Sequence, residues 1–417
     1  MTQPRTLSAP QEAILEAGIS NPDPAAYTMV NAIIIDGVPA KALRQAATDT
    51  AARHDALHWI LNLDDRYHIS ASAGLGPALV PVEENDLRSL ELADAIATVE
   101  AWMATQRAAA YDLWGSGPRI RFALFHLPET IAGPHTVCAL TTHHLYTDEH
   151  ALQLLWTEIV RRASTPPVSA PNSPDLRYSR WAETSTSAAA ATSARTAAEA
   201  VAQHCQAHET RPYPEYLERP PAPNGYGQQV RALGPVDTAD VSARLSVGPA
   251  AVYVAAVAHA VAEQTGHRRI VLHMPMSLRR TAAEAGIIGC FVASAPLPIR
   301  VEPAGAPLVQ RCQQALDFAS RHAHARPGLL SRSVGRPQIS LAIEQPATTR
   351  RLGPVTWSSF AAPNAGPKHP LSLQLSASAT GPGRLRASWT SATLTQEQAS
   401  DLLERTTDHL NRLTAKG

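Results

Sequence analysis

The stretch TTHHLYTDEH, residues 141–150, places two adjacent histidines shortly before a pair of acids. His143 and His144 are separated from Asp148 and Glu149 by three residues. Three kinds of site fit this pattern: a metal site, an acid–base site, or the polar start of an ordinary helix. The surrounding sequence decides which secondary structure carries these side chains.

The residues on either side of this stretch have different periodicities. HTVCALTT (135–142) is a nearly continuous apolar segment, typical of a strand buried on both faces. Ala151, Leu152, Leu155 and Ile159 follow with helical spacing, and Thr147 is predicted to be the N-cap of that helix. The sequence therefore predicts a strand, a tight turn and a helix in succession.

This placement argues against a metal ion at the histidine pair, and we predict none. Neighbouring residues of a strand point to opposite faces, and a helical zinc pair requires histidines at positions i and i+4. Two interpretations remain open from the residues alone. The acids of the pair complement the helix dipole, or the turn presents an imidazole whose pKa near neutrality suits proton transfer.

Bulk composition excludes several classes of protein. The 417 residues contain 36 basic and 36 acidic side chains, so no strong positive field favours nucleic acid as a partner. No apolar run reaches 18 residues and the N-terminus lacks signal-peptide features, so neither a membrane partner nor export is expected. Four cysteines without CxxC spacing favour a reducing, cytoplasmic location.

Helical and strand periods alternate along the chain, which indicates an α/β protein with two halves of similar size. The Pro- and Ser-rich segment at 164–179 indicates a linker between them. We expect an N-terminal lobe over 1–165 that carries the histidine pair, a linker over 166–180, and a C-terminal lobe over 181–417.

Several elements are predicted individually. Ser8 and Gln11 form a capping box at the start of a helix. Strands are expected at 27–37 and 119–125 in the first half. In the second half, strands are expected around 269–276, 290–299, 338–344, 370–378 and 384–390, and helices around 187–208, 250–265, 308–322 and 395–415.

HHLYTDE resembles the HHxxxDG signature of the condensation domains of nonribosomal peptide synthetases and their acyltransferase relatives. Four further segments are similar to family segments in the family's order. They are RHDALH (53–58, similar to RHExLR), YDLWGSGPRIRFALF (111–125, DLxxGPLxR), MPMSLRR (274–280, PVxGR) and IIGCFVASAPLPI (287–299, GxFVNTLPLR).

The resemblance implies a fold of two chloramphenicol acetyltransferase-like lobes in a V-shaped pseudo-dimer with a central tunnel. It also implies the reaction. An acyl group arrives as a thioester on the phosphopantetheine arm of a carrier protein, and an amine or alcohol accepts it to form an amide or ester in secondary metabolism. No bound cofactor is implied, and the carrier is expected to act in trans on a free-standing enzyme.

Residue roles follow from the same resemblance. His144 is expected to be the catalytic imidazole, with His143 and Asp148 mainly structural. Arg279 is the expected ion-pair partner of Asp148, and Arg121 is the alternative partner because it too lies on a strand that enters this region.

Three positions depart from the family pattern. Glu149 replaces the usual Gly, Ala293 stands where the FVNTLPLR strand has Asn, and His58 replaces the second Arg of RHExLR. Two interpretations of Glu149 are open. Its side chain lines the substrate channel beside His144, or it is only an acid at the start of a helix.

Three functions are consistent with these residues. The favoured one is a condensation enzyme that uses a carrier-bound acyl group. The alternatives are a CoA-dependent acyltransferase of the same superfamily and a non-catalytic recruitment platform with the same fold. Comparing CoA and carrier thioesters separates the two enzymes, and activity that survives loss of His144 favours the platform.

Overall fold

The structure is a computed structural model of the 417-residue chain. It describes residues 6–415 except 22, 64–68, 74–79, 116, 130–134, 165–173, 208–224, 327, 331–333, 335–337, 345–348, 361–366 and 391–392.

The described chain contains eleven α-helices and fourteen strands. The helices are α1 (Ala9–Ile19), α2 (Ala40–Arg53), α3 (Leu92–Ala108), α4 (Glu149–Ser164), α5 (Arg177–Ser185), α6 (Ala188–Ala207), α7 (Ala239–Leu245), α8 (Pro249–Thr265), α9 (Ala282–Ala285), α10 (Ala306–His322) and α11 (Gln396–Thr414). A 3₁₀ helix (Asp55–His58) follows α2.

The strands fall into two six-stranded sheets and one hairpin. They are β1 (Thr28–Asp36), β2 (Trp59–Leu63), β3 (Ile69–Ala73), β4 (Val82–Asp86), β5 (Ile120–His126), β6 (His135–His143), β7 (Tyr226–Leu233), β8 (Arg269–Ser277), β9 (Val292–Arg300), β10 (Ile339–Glu344), β11 (Arg350–Leu352), β12 (Val355–Phe360), β13 (Leu371–Ser376) and β14 (Gly383–Thr390).

The chain divides into two compact units, each built around one six-stranded sheet. The first unit comprises Met1–Ala190, Arg279–Phe291 and Ala347–Ala365, and the second comprises the remaining segments. The predicted fold class, α/β with two lobes, is confirmed. The V shape, the tunnel and the lobe boundaries stay predictions.

The first unit's sheet has the strand order β11-β12-β1-β6-β5-β4, with β2 and β3 forming a separate hairpin. β6 lies in the middle, and its residues from Thr136 to His143 are all buried, as its apolar sequence predicts. On one face, Val99 and Met103 of α3 pack against Phe125 and Val137. This burial fixes the strand that delivers the histidine pair.

The second unit's sheet has the order β7-β14-β13-β10-β8-β9. Its core is centred on α8, whose Val254, Val257 and Val261 are buried together with Leu272 of β8 and Leu402 of α11. The Ala- and Val-rich sequence of α8 explains this position, because a helix that is apolar around most of its circumference must be covered on most sides.

Six strands were not predicted from the sequence: β2, β3, β4, β7, β11 and β12. β7 escaped because YGQQVRAL has few apolar residues and lies at a sheet edge. β11 and β12 join the first unit although they lie late in the chain, and β12 pairs with β1 so that Ile35 lies opposite Trp357. Segments 279–291 and 347–365, which lie late in the chain, also belong to the first unit.

Among the described helices, no single one has the length and apolar character needed to cross a membrane. One bent pair, Ala239–Leu245 and Pro249–Thr265 at 98°, meets the length and composition criteria together.

Asp175, near the end of the expected linker, lies beside His54 at the end of α2, and His54 also contacts Glu158 of α4. His54 is bonded through Nε2 to Glu158 at 2.9 Å and lies with Nδ1 3.4 Å from Asp175. Burial opposes the charged imidazole, but hydrogen bonds to Asp175 and Glu158 outweigh it and raise the pKa of His54. Burial also opposes the Glu158 carboxylate, but His54 and Arg162 lower its pKa to about 2.

The raised pKa predicts how His54 contributes to stability as pH changes. The folded pKa exceeds the unfolded one, so the contribution is complete below the unfolded pKa and is lost as pH rises through the folded pKa. We expect the urea midpoint to fall more on His54→Gln substitution at pH 6 than at pH 9. An equal fall at both values would contradict the charged state of His54.

His58 provides a matched control on the next turn of the chain. Burial lowers its pKa, and its ring is bonded to the Ala51 carbonyl at 2.8 Å. The unfolded state therefore binds the proton more readily, and the neutral ring's contribution to stability is lost as pH falls. His58→Gln should show the opposite pH trend to His54→Gln.

Candidate functional site

The histidine pair lies at the junction of β6 and α4. β6 ends at His143, which is paired with Thr28 of β1. The His144 N–H donates to the Tyr27 carbonyl at 2.9 Å, and the Tyr146 N–H donates to the His143 carbonyl at 3.0 Å. The predicted succession of strand, turn and helix is confirmed.

Asp148 is the N-cap of α4, so the prediction of Thr147 as the cap is wrong. The Ala151 N–H donates to Asp148 Oδ1 at 2.8 Å, and the Leu152 N–H donates to the Asp148 carbonyl at 2.9 Å. Both residues are good N-caps by type. Asp148 occupies the position because the turn after His143 is one residue longer than the sequence pattern suggested.

The second oxygen of the Asp148 carboxylate binds a distant segment of the chain. Oδ2 accepts hydrogen bonds from Arg279 Nη1 at 2.7 Å and from the Phe291 N–H at 2.8 Å. The side chains of Asp148 and Arg279 are 7% and 5% exposed. The predicted ion pair is present, and it is buried.

Arg279 is held by more than its partner acid. Its Nη2 donates to the carbonyls of Ile287 and Gly289 at 3.1 and 3.3 Å, and its guanidinium carbon lies 4.1 Å from the centre of the Phe291 ring. The planar guanidinium thus donates in two directions and stacks on an aromatic ring at the same time, which the ammonium group of a lysine cannot do.

Buried polar groups from α1 and α5 support this segment and the turn. Tyr178 donates through its hydroxyl to the Cys290 carbonyl at 3.0 Å and lies 3.1 Å from Ser8 Oγ. A Cβ on Gly289 would lie 2.1 Å from the Tyr178 ring, so only glycine allows this approach. The Gln11 amide donates to the Leu145 carbonyl at 3.2 Å.

The two histidines differ in the hydrogen bond that each Nδ1 makes. His144 Nδ1 lies 3.0 Å from the Thr147 carbonyl, which only accepts, so the neutral ring carries its proton on Nδ1 and its lone pair on Nε2. His143 Nδ1 accepts from the Leu145 N–H at 3.1 Å, so its neutral ring is protonated on Nε2.

Their surroundings differ as well. His143 is buried among the rings of Tyr27, Tyr111 and Tyr146, with ring centroids 6.0–6.5 Å away. Burial raises the pKa of Tyr27 to about 12 and raises the pKa values of the other two, so all three phenols stay neutral. His144 is only partly buried. The geometry gives His144 the solvent-facing position and His143 the packing position.

Arg121 and Glu149 lie near the same junction but make other contacts. The Arg121 guanidinium lies 5.3 Å from the centre of the Tyr111 ring, while Arg279 takes the place beside Asp148. Glu149 is an exposed residue in the first turn of α4, and its Oε1 accepts from the Gln153 amide at 3.0 Å.

Sequence reasoning missed several groups that build the site. The Phe291 N–H and Tyr178 left no signal, because backbone donors and ring packing have no sequence signature. Gly289 stands at the Gly of the segment similar to GxFVNTLPLR, but its close approach to Tyr178 was not predicted. Gln11 was predicted only as part of a capping box, which is confirmed. Its second bond, to Leu145, joins segments 134 residues apart.

The chain belongs to the condensation domain family, because the family profile matches residues 2–342. Condensation domains are acyltransferases that form amide bonds. Phosphinothricin tripeptide synthetase PhsB from Streptomyces viridochromogenes is 28% identical over 316 residues, which cover 71% of this chain. The aligned region is 25% of that synthetase, so the chain spans about a quarter of its length.

Solved structures share the fold. The starter condensation domain of rhizomide synthetase RzmA, in complex with C8-CoA, has a TM-score of 0.80 and 20% identity, with 99% of this chain and 95% of that one covered. SgcC5 from Streptomyces globisporus has a TM-score of 0.76 and 18% identity, with 98% of each chain covered. The first condensation domain of the CDA synthetase has a TM-score of 0.78 and 20% identity, with 99% and 97% covered.

The saturated Asp148 carboxylate predicts a large effect of its removal. Asp148→Ala leaves the Arg279 charge and the Phe291 N–H buried without their acceptor, and removing one partner of a buried pair costs about 3–5 kcal/mol. Chemical unfolding should show this loss of stability. Arg279→Lys should also be destabilising, because an ammonium cannot reach both Asp148 and the two carbonyls.

Glu149→Gln is the matched control on the same turn. Its side chain is exposed, so the change in unfolding free energy should stay within about 0.5 kcal/mol. If Asp148→Ala were as mild as Glu149→Gln, the carboxylate would serve only the helix dipole.

Proposed function

We propose that this chain transfers an acyl group from a phosphopantetheinyl thioester to an amine or alcohol, with His144 as the catalytic residue. One observation carries the proposal: the bond between His144 Nδ1 and the Thr147 carbonyl, which leaves the lone pair on Nε2. A general base needs a lone pair in a fixed direction, and this bond fixes the ring so that its lone pair lies on Nε2.

The reaction requires little covalent chemistry from the protein. A thioester is an activated acyl donor, so the nucleophile attacks its carbonyl directly, a C–N or C–O bond forms, and the C–S bond breaks. The nucleophile's proton passes to His144 Nε2 and then to the departing thiolate. Holding both substrates together supplies several kcal/mol of the barrier through proximity.

The other predicted residues position His144 in this proposal. Asp148 caps the start of α4 and binds Arg279, and these bonds restrain the turn that carries His144. His143 fills the aromatic pocket beneath the turn. Arg121 stays a candidate for a positioning role through Tyr111, whose ring also neighbours His143.

The donor and acceptor are proposed as chemical classes. Structures of the RzmA starter domain are described with C8-CoA and with Leu-SNAC, and SgcC5 with a naphthyl ethanediol. These ligands support thioester donors and both amine and alcohol acceptors for relatives of this chain. We favour a carrier-bound donor supplied in trans, and CoA is the alternative. An assay that offers both thioesters at equal concentration separates them.

A cytoplasmic location is part of the proposal. All four cysteines lie in the described part of the chain, where they are buried and form no disulfide. Burial raises the pKa of Cys205 to about 11 and that of Cys312 to about 12, so these thiols are poor nucleophiles and need no disulfide partner.

Removing the imidazole tests the catalytic proposal. His144→Ala should lower turnover by roughly 10²–10⁴-fold, the usual scale for a general acid–base group. The ring is only partly buried, so the thermal midpoint should change little. Unchanged turnover in a folded variant would exclude His144 as the base and favour a recruitment platform.

His143→Ala is the comparison that separates chemistry from packing. It removes a buried ring beside three tyrosines and the acceptor of the Leu145 N–H, so it should lower thermal stability clearly. Turnover per folded molecule should fall less than in His144→Ala.

We propose that Glu149 lines the substrate channel and favours a cationic amine. Its exposure leaves the carboxylate accessible, although the Gln153 bond also suits a plain helix-start acid. Glu149→Gln keeps the size and removes the charge. A competition between a charged amine and a neutral alcohol of similar size should then shift towards the alcohol product.

Glu149→Gly adds the family's usual residue to the comparison and should widen acceptance of bulky neutral nucleophiles. The competition is run across pH on all three proteins. The same product ratio in all of them would leave Glu149 as a helix-start acid with no role in specificity.

A further inference from the structure

A cluster of two histidines and one glutamate lies on the second unit, apart from the residues assigned to catalysis. His259 and Glu263 occupy positions i and i+4 of α8, and His409 lies on α11. One ligand atom from each residue can be chosen so that all three lie within 4.8 Å of one another. The grouping joins α8 to α11 through ion-pair contacts, and the proposed acyl transfer does not use it.

The three side chains already converge. His409 Nε2 lies 2.9 Å from Glu263 Oε2, and His259 Nε2 lies 3.7 Å from Glu263 Oε1. The two imidazole rings are stacked, with centroids 3.9 Å apart. The carboxylate therefore faces both ring nitrogens from one side.

This set matches the donors that borderline transition metals prefer. Zn²⁺ binds imidazole nitrogen and carboxylate oxygen at about 2.0–2.2 Å, and tetrahedral geometry at that radius places ligand atoms about 3.3 Å apart. The side chains must rotate to bring the three atoms to that spacing, and the two rings must leave their stack so that both lone pairs point at one ion. α8 and α11, which carry the three ligands, are packed together through the buried Val261, Leu403 and Leu410.

We propose that His259, Glu263 and His409 bind a divalent transition-metal ion of the zinc class. The two helices each supply ligands, so the ion links α11 to the central helix of its unit. Glu263 is exposed and His259 half-buried, so solvent reaches the site and water completes the coordination.

Two arginines compete with the ion for these ligands. Arg412 Nη2 lies 3.0 Å from His409 Nδ1, and Arg405 Nη1 lies 3.5 Å from Glu263 Oε2. An arginine always donates, so His409 Nδ1 accepts from Arg412 and the ring proton sits on Nε2. Metal binding through Nε2 needs that proton to move to Nδ1, and Arg412 must then turn away into solvent.

Because the arginines compete with the ion, the proposal predicts that some variants bind zinc more tightly and others more weakly. Untagged full-length protein is titrated with ZnCl₂ by calorimetry and by equilibrium dialysis. We expect one site in the wild type. His259→Ala should weaken binding at least about tenfold, and Arg412→Gln should strengthen it several-fold. Saturating zinc should also raise the thermal midpoint of the wild type but not of His259→Ala.

His267→Ala is the matched control, since it removes another histidine of the same unit and should leave zinc affinity unchanged. Co²⁺ gives an independent readout, because its visible spectrum reports a four-coordinate site with nitrogen ligands. Equal zinc affinity in wild type, His259→Ala and Arg412→Gln would overturn the proposal, as would the absence of zinc binding to the wild type.

Discussion

The saturation of one carboxylate, that of Asp148, determines the geometry on which the candidate active site depends. Its two oxygens receive the Ala151 N–H, the Arg279 guanidinium and the Phe291 N–H. A buried charge is tolerated only when it is hydrogen-bonded, and here two of the three donors come from residues 131 and 143 positions away in sequence. One group therefore starts α4, ends the turn after His143 and anchors the segment that begins at Arg279.

The two histidines differ in tautomer because different backbone groups face their Nδ1 atoms. A carbonyl faces Nδ1 of His144 and an N–H faces Nδ1 of His143. The same side chain thus has opposite tautomers at successive positions, and only the one with its lone pair on Nε2 lies at a partly exposed position. The aromatic pocket holds the other ring. An imidazole can be tuned by the hydrogen bond at its second nitrogen without any nearby carboxylate.

Local signals predicted local structure well, and long-range partners escaped them. Apolar continuity predicted β6, helical spacing predicted α4, and the resemblance supplied the Asp148–Arg279 pair. These signals do not specify which residue of the turn caps the helix. Thr147 was therefore predicted as the N-cap of α4, whereas Asp148 is the N-cap. β12 could not be predicted because its place beside β1 depends on pairing across most of the chain. The prediction of no metal ion was argued from the histidine pair. Sequence spacing gave no sign of the other cluster, because Glu263 and His409 are 146 residues apart in the chain.

Each unit joins distant segments through buried or half-buried charged groups, but the chemistry of the junctions differs. In the first unit the junctions are saturated: Asp148 meets a guanidinium and two N–H groups, and His54 lies between two carboxylates. Both groups are buried and already have strong hydrogen-bond partners. In the second unit, Glu263 is exposed, and its partners are two imidazole rings and Arg405. A solvent-accessible group of imidazole and carboxylate side chains can exchange a proton for a metal ion, whereas a buried carboxylate that already binds several donors cannot. This difference explains why the inferred ion site belongs to the second unit and the rigid turn to the first.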